Sequence, residues 1–81
     1  MTKLEEKLLE LGYERVRLQF SNISIYNKIG KHALFVIKIL ENEIFDYHLH
    51  KNIHNQNDID NLQQAFNEMQ KDLEVLKDYE N

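Results

Sequence analysis

In the stretch "IFDYHLH", Asp46, His48 and His50 occupy alternate positions. On a β-strand that spacing puts all three side chains on one face, where two imidazoles and a carboxylate can share a divalent metal. His32 and His54 are near in sequence, but no further ligand has a diagnostic spacing. The plainer expectation is a polar, solvent-facing strand surface with Phe45, Tyr47 and Leu49 turned inward, and neither metal nor cofactor bound. Nucleophilic chemistry has less to draw on. The chain has no cysteine, and both of its glycines fall at turns, so no glycine-rich phosphate loop and no nucleophile elbow frames Ser21 or Ser24. These residues point to a protein that is not an enzyme.

A second set of residues suggests binding rather than catalysis. Arg15, Arg17, Tyr26, Lys28 and Lys38 fall at positions expected to face outward from the strands. Basic groups interleaved with an aromatic ring suit nucleic acid, by phosphate contact and base stacking. Arg15, Arg17, Tyr26 and Lys28 therefore define the alternative function, a small nucleic-acid-binding module. The order helix, strands, helix is similar to that of the double-stranded-RNA-binding domain. That module needs basic residues at the start of its second helix, where this chain has Asp58 and Asp60. Leu34, Val36 and Leu40 share the face of Lys38 and form an apolar strip suited to a covering element or a protein partner.

The elements that position these groups are legible from their periods. Thr2 and Glu5 form a capping box, Leu4, Leu8 and Leu11 share a helix face, and Gly12 stands where a C-terminal cap needs positive φ, with Tyr13 able to pack back on Leu8. From Arg15 the period becomes two. "RVRLQF", "ISIYNKI", "HALFVIKIL" and "IFDYHLH" read as four strands joined by short turns at Ser21–Asn22, Gly30–Lys31 and "ENE". "HALFVIKIL", apolar on both faces, belongs in the sheet centre. A polar loop, "KNIHNQN", leads to a long helix expected to start at Asn57 or Asp58 and to fray near Asp78 and Glu80. The fold class is α+β: an N-terminal helix, a four-stranded antiparallel β-meander and a long C-terminal helix, in one domain spanning residues 1–81.

Charge is placed unevenly. Residues 1–54 hold eight basic and seven acidic side chains, while residues 55–81 hold two against seven, and the whole chain carries −4. The acidic end disfavours phosphate contact there. Absent cysteines give no sign of an oxidising compartment, and no apolar run nears the roughly 20 residues that span a bilayer. The expectation is a cytoplasmic protein without membrane contact.

The two helical ends, "KLEEKLLELGYE" and "DIDNLQQAFNEMQKDLEVLKDY", resemble those of small uncharacterised proteins encoded by phages and prophages of low-GC Gram-positive bacteria. The likeness covers about half the chain and brings no functional residues with it. It implies an accessory protein in the bacterial host cytoplasm that binds a host or phage protein, for instance an inhibitor of a host defence system of the anti-CRISPR kind.

Within the second helix, Ile59, Leu62, Phe66, Met69, Leu73 and Leu76 follow one another at steps of three and four. So narrow a seam suits a coiled-coil contact. The expectation is a division of labour. Ile59, Leu62 and Phe66 cover the sheet, while Met69, Leu73 and Leu76 meet a second copy in an antiparallel homodimer.

Overall fold

A computed structural model describes residues 2–16, 22–31, 33–50 and 61–80. Its elements are α1 (Lys3–Glu10), β1 (Glu14–Val16), β2 (Ser24–Ile29), β3 (Leu34–Leu40), β4 (Glu43–His50) and α2 (Leu62–Lys77). The α+β order helix, four strands, helix is the one the sequence predicts. The proposed start of α2 at Asn57 or Asp58 lies outside the described residues.

Local signals form α1. The Glu5 amide donates to Thr2 Oγ1 at 3.2 Å and the Thr2 amide donates to Glu5 Oε1 at 3.3 Å, closing the capping box. At the other end Gly12 adopts φ +98°, its amide donates to the Leu9 carbonyl and the Tyr13 amide to the Leu8 carbonyl. That pair of bonds is a Schellman cap, and the left-handed residue it needs is the glycine. Leu4 and Leu8 are fully buried, each contributing about 1.5–3 kcal/mol of hydrophobic stabilisation.

The strands form one antiparallel sheet in the order β1-β2-β3-β4, so β1 and β4 are its edges and the apolar β3 is interior. The β3–β4 hairpin turns on Glu41 and Asn42, both at positive φ (53° and 62°), between the paired Leu40 and Glu43. Two left-handed residues in a two-residue loop match the twist of the strands they join. A bulge interrupts this hairpin. Lys38 pairs with Asp46 and Ile39 with Ile44, so Phe45 is the extra residue and has no partner on β3.

Both helices lie on one face of the sheet. Tyr26, Phe35, Ile37 and Ile39 from the strands meet Leu4 and Leu8 of α1, Tyr13 of the connection, and Ala65, Met69 and Leu76 of α2 in a common core. Pairing fixes which residues share that face: Arg15, Tyr26, Ile37 and Tyr47 form one row, and Lys28, Phe35 and Leu49 the next. Val16, Ile25, Lys38 and Asp46 form a row on the opposite face. Val16 and Arg15 thus exchange the faces their alternation suggested. Among the described residues, no helix is long and apolar enough to cross a membrane.

Candidate functional site

Three exposed aromatic side chains lie on β4 and α2. Phe45, Tyr47 and Phe66 are each about half exposed, at 50%, 48% and 48%. Between the strand and the helix runs a groove of about 270 Å³, lined by Ile44 and Tyr47 on one side and Gln70, Leu73, Glu74 and Lys77 on the other. Phe66 belongs to the same flank of α2, since it precedes Gln70 by four residues and Leu73 by seven. Phe45 is exposed because the bulge leaves it without a cross-strand neighbour. Tyr47 is exposed because β4 is an edge, with a partner on one side only. Half-buried aromatic rings beside a groove with a polar rim are the usual makings of a protein contact.

A second cleft, of about 380 Å³, lies nearer the other edge between Gly12, Glu14, Asn27, Lys28, Ile29 and Leu34. Its one unusual group is the Asn27 side-chain oxygen, which is buried without a hydrogen-bond donor.

Two polar clusters tie the helices to the sheet. Asp72 of α2 accepts from the Tyr13 hydroxyl and from Lys28 Nζ, both at 2.9 Å, and the Lys28 ammonium stands 5.2 Å from the centre of the Tyr13 ring. Burial first, then the Asp72 charge and hydrogen bond, push the Tyr13 phenol upward in pKa. The Tyr26 hydroxyl donates to Glu5 of α1 at 2.8 Å. Burial, the bond to Glu5 and its charge push the Tyr26 phenol up to about 12, against a smaller opposing effect of Arg15. Burial alone would raise Glu5, but the Tyr26 bond, the Thr2 bonds and the Arg15 charge outweigh it and hold the carboxyl below its ordinary value. Each acid is met by donors, so these groups act as clamps between layers.

Asp46, His48 and His50 share the sheet face away from the helices, opposite Lys38, Val36 and Leu34 respectively. Asp46 pairs with Lys38 Nζ at 3.5 Å and lies 3.9 Å from His48 Nδ1. The Nε2 atoms of His48 and His50 are 2.9 Å apart, within hydrogen-bond distance, and their rings meet edge to face. Among the described residues no group of three His, Asp or Glu side chains could hold a metal ion. His32 and His54 lie outside the described residues.

Arg15, Tyr26 and Lys28 of the basic set share one face, but it is the face the helices cover. Tyr26 is only 1% exposed and sits in the core, where its hydroxyl finds Glu5, so its ring is not offered for stacking. Lys28 is committed to Asp72, Lys38 projects from the other side of the sheet, and Arg17 lies outside the described residues. Arg15 is exposed and donates weakly to Ser24 Oγ at 3.5 Å.

The seam of α2 divides opposite to the expectation. Met69 and Leu76, assigned to a second copy, are 2% and 0% exposed and fill this chain's own core, with Leu73 packed against it. Leu62 and Phe66, assigned to the sheet, are 37% and 48% exposed. The cause is the position of α1, whose Leu4 and Leu8 cover only part of the sheet, leaving Ala65, Met69 and Leu76 of α2 to complete the lid. Tyr47 shares the covered face, as expected, yet it and Phe45 are half exposed, and two facts in the sequence bear on that exposure. The last strand of a meander is an edge strand, and one short helix plus a narrow seam is too little cover for every inward position.

Searches against protein-family models, curated proteins and solved structures find no match to this chain.

Proposed function

We propose that the chain is a non-enzymatic protein-binding module whose contact surface is the β4 edge with the adjoining groove of α2. The observation that supports this most is a groove between β4 and α2 lined by the half-exposed Tyr47, with two more half-exposed rings, Phe45 and Phe66, on the same two elements. Aromatic anchors of this kind carry a large share of binding energy when a partner desolvates them, about 2 kcal/mol or more each. In its more specific form the proposal is a phage or prophage accessory protein that binds and blocks a host protein, such as a component of a defence system, in the bacterial cytoplasm. Support for that form comes from the likeness of the two helical ends.

The test is affinity capture from bacterial cytosol with the parent chain and with Phe45→Ser/Tyr47→Ser/Phe66→Ser. Half of each side chain is buried, so the variant should melt below the parent, and circular dichroism at the capture temperature establishes that it is still folded. At least one protein should be retained by the parent and lost by the variant, with about a 30-fold or greater weakening per anchor in a follow-up titration. Identical retention by both chains would show that this surface is not the contact.

A further inference from the structure

The outer edge of β4 is long and lightly guarded. Its eight residues, Glu43–His50, have β3 on one side, and among the described residues no strand pairs with the other. Edge strands are ordinarily protected by lysine, proline, a bulge or shortness. β4 contains neither lysine nor proline, its bulge at Phe45 lies near its start and leaves Asp46–His50 regularly paired, and its exposed side chains include two aromatic rings. An edge of this kind accepts another strand through backbone hydrogen bonds, and the side chains then decide which strand.

We infer that the occupant of this surface is the β4 edge of a second copy, paired antiparallel about a two-fold axis through Tyr47. The inference rests on the β4 surface being an interface and names the partner. Its basis is the self-complementary order of side chains along the strand. In a symmetric antiparallel pair of continuous sheets, directly opposed residues share a face, so the axis passes through a residue. Centred on Tyr47, the pairing puts Asp46 opposite the partner's His48 and His48 opposite the partner's Asp46. On the helix side, Phe45 meets the partner's Leu49, and Tyr47 meets the partner's Tyr47. Moving the axis one residue either way opposes Asp46 to the partner's Asp46, or His48 to the partner's His48. With the axis at His48, Asp46 also meets the partner's His50, but His48 meets itself. Only the central register makes carboxylate–imidazole pairs with no like pair beside them on that face, and opposed like charges are the unfavourable case on a sheet.

The apolar side of the strand agrees. A two-fold axis perpendicular to the sheet leaves the helices of both copies on the same side of a continuous eight-stranded sheet. The Ile44–Tyr47–Leu73 groove of each copy then faces the seam. The half-exposed rings of β4, Phe45 and Tyr47, bring about 400 Å² of apolar surface to it from the two copies. That is about a third of the smallest area typical of a stable interface, before the backbone ladder and groove walls are counted.

Because the chain has no cysteine of its own, a single introduced thiol reports on this geometry. Position 47 faces its own copy across the axis at a spacing a disulfide can close. Sedimentation of the purified chain at tens of micromolar should give a dimer, and Tyr47→Lys should weaken it at least tenfold. Under mild oxidation Tyr47→Cys should form a covalent dimer quickly, whereas Val75→Cys, exposed on the far flank of α2, should not. The cross-linking arm still decides the matter if Tyr47→Lys folds poorly. A monomeric parent overturns the inference, and so does a dimer that cross-links through Val75→Cys but not Tyr47→Cys. A monomeric parent that nevertheless captures a cytosolic protein through Phe45, Tyr47 or Phe66 refutes self-pairing alone and leaves the protein-binding reading standing.

Discussion

Gly30→Ala measures how tightly the core closes at the β2–β3 turn. Gly30 donates its amide to the Ala33 carbonyl at 2.8 Å, and its backbone is not in the left-handed region, so alanine adds no backbone strain. What it adds is a methyl group 2.7 Å from Phe35 Cζ, 2.9 Å from Cε2 and 3.1 Å from the Ala33 oxygen. Unstrained carbon contacts lie at about 3.5–4.0 Å, so the ring must retreat by nearly an ångström. Phe35 is 0% exposed, so its ring must move against the core residues around it. Overpacking of this kind costs about 1–3 kcal/mol, and the reduced freedom of the unfolded chain returns about 0.4–1 kcal/mol. The expected net loss is about 1–2 kcal/mol, read as a fall in the urea midpoint by circular dichroism and as about 4–16 °C in Tm. Phe35→Leu on its own leaves a cavity and also destabilises. Combined with Gly30→Ala it removes the atoms the methyl strikes, so the double variant should be about 1 kcal/mol more stable than the two single losses predict. Strict additivity, or a Gly30→Ala chain as stable as the parent, would refute the steric reasoning.

Leu76→Glu, at a core position 0% exposed, should abolish the cooperative unfolding transition rather than change oligomeric state, which circular dichroism and sedimentation together distinguish. Asn42→Ala should cost about 1–2 kcal/mol in urea unfolding, because alanine tolerates the left-handed backbone at φ 62° less well than asparagine and because it removes the 3.5 Å contact from Asn42 Nδ2 to the Tyr79 carbonyl. Tyr26 ionises near 12 in the folded chain against 10.0 ordinarily, so stability is whole below pH 10.0 and declines from there to about 12 as unfolded molecules lose the proton first. Tyr26→Phe should make that alkaline decline shallower in a pH series of melting temperatures. Glu5 has the opposite sign: its contribution is present above its ordinary value of 4.5 and is lost as pH falls below it, so Glu5→Gln should flatten the acid limb.

What was legible in the sequence was what depends on near neighbours. The capping box of Thr2 and Glu5, the Gly12 cap and the four-strand order all follow from residues a few positions apart. Faces were harder. An alternating strand announces two faces without saying which is covered, and Arg15 looked like the wet one. In the fold Arg15 shares a face with Tyr26 because the pairing register, not polarity, sets the row, and Arg15 sits at the exposed edge of that row. Tyr26 was misplaced because its polar tip hides a ring that packs as a large hydrophobe once Glu5, 21 residues away, accepts its hydroxyl. The seam of α2 was misassigned for a similar reason. Spacing shows that six residues share a stripe, but only the location of α1 determines which end of the stripe the sheet needs. The exposure of Phe45 arises from a bulge, for which the sequence carries no local mark, whereas that of Tyr47 follows from the place of β4 at the sheet edge.

The meander and its lid differ in how far apart in the chain their parts lie. Each strand pairs with its neighbour in sequence, across connections that close easily, whereas the clamp between Tyr13 and Asp72 joins residues 59 apart. Hairpins form in microseconds, but docking a distant helix must first overcome the entropy of a long loop. The apolar face of the meander therefore exists before its cover does. Until Ala65, Met69 and Leu76 arrive, Phe35, Ile37 and Ile39 have only the short α1 above them. Folding speed is then governed by the arrival of α2, and the chain is most vulnerable to aggregation in that interval, with a bare sheet face and an open β4 edge presented together.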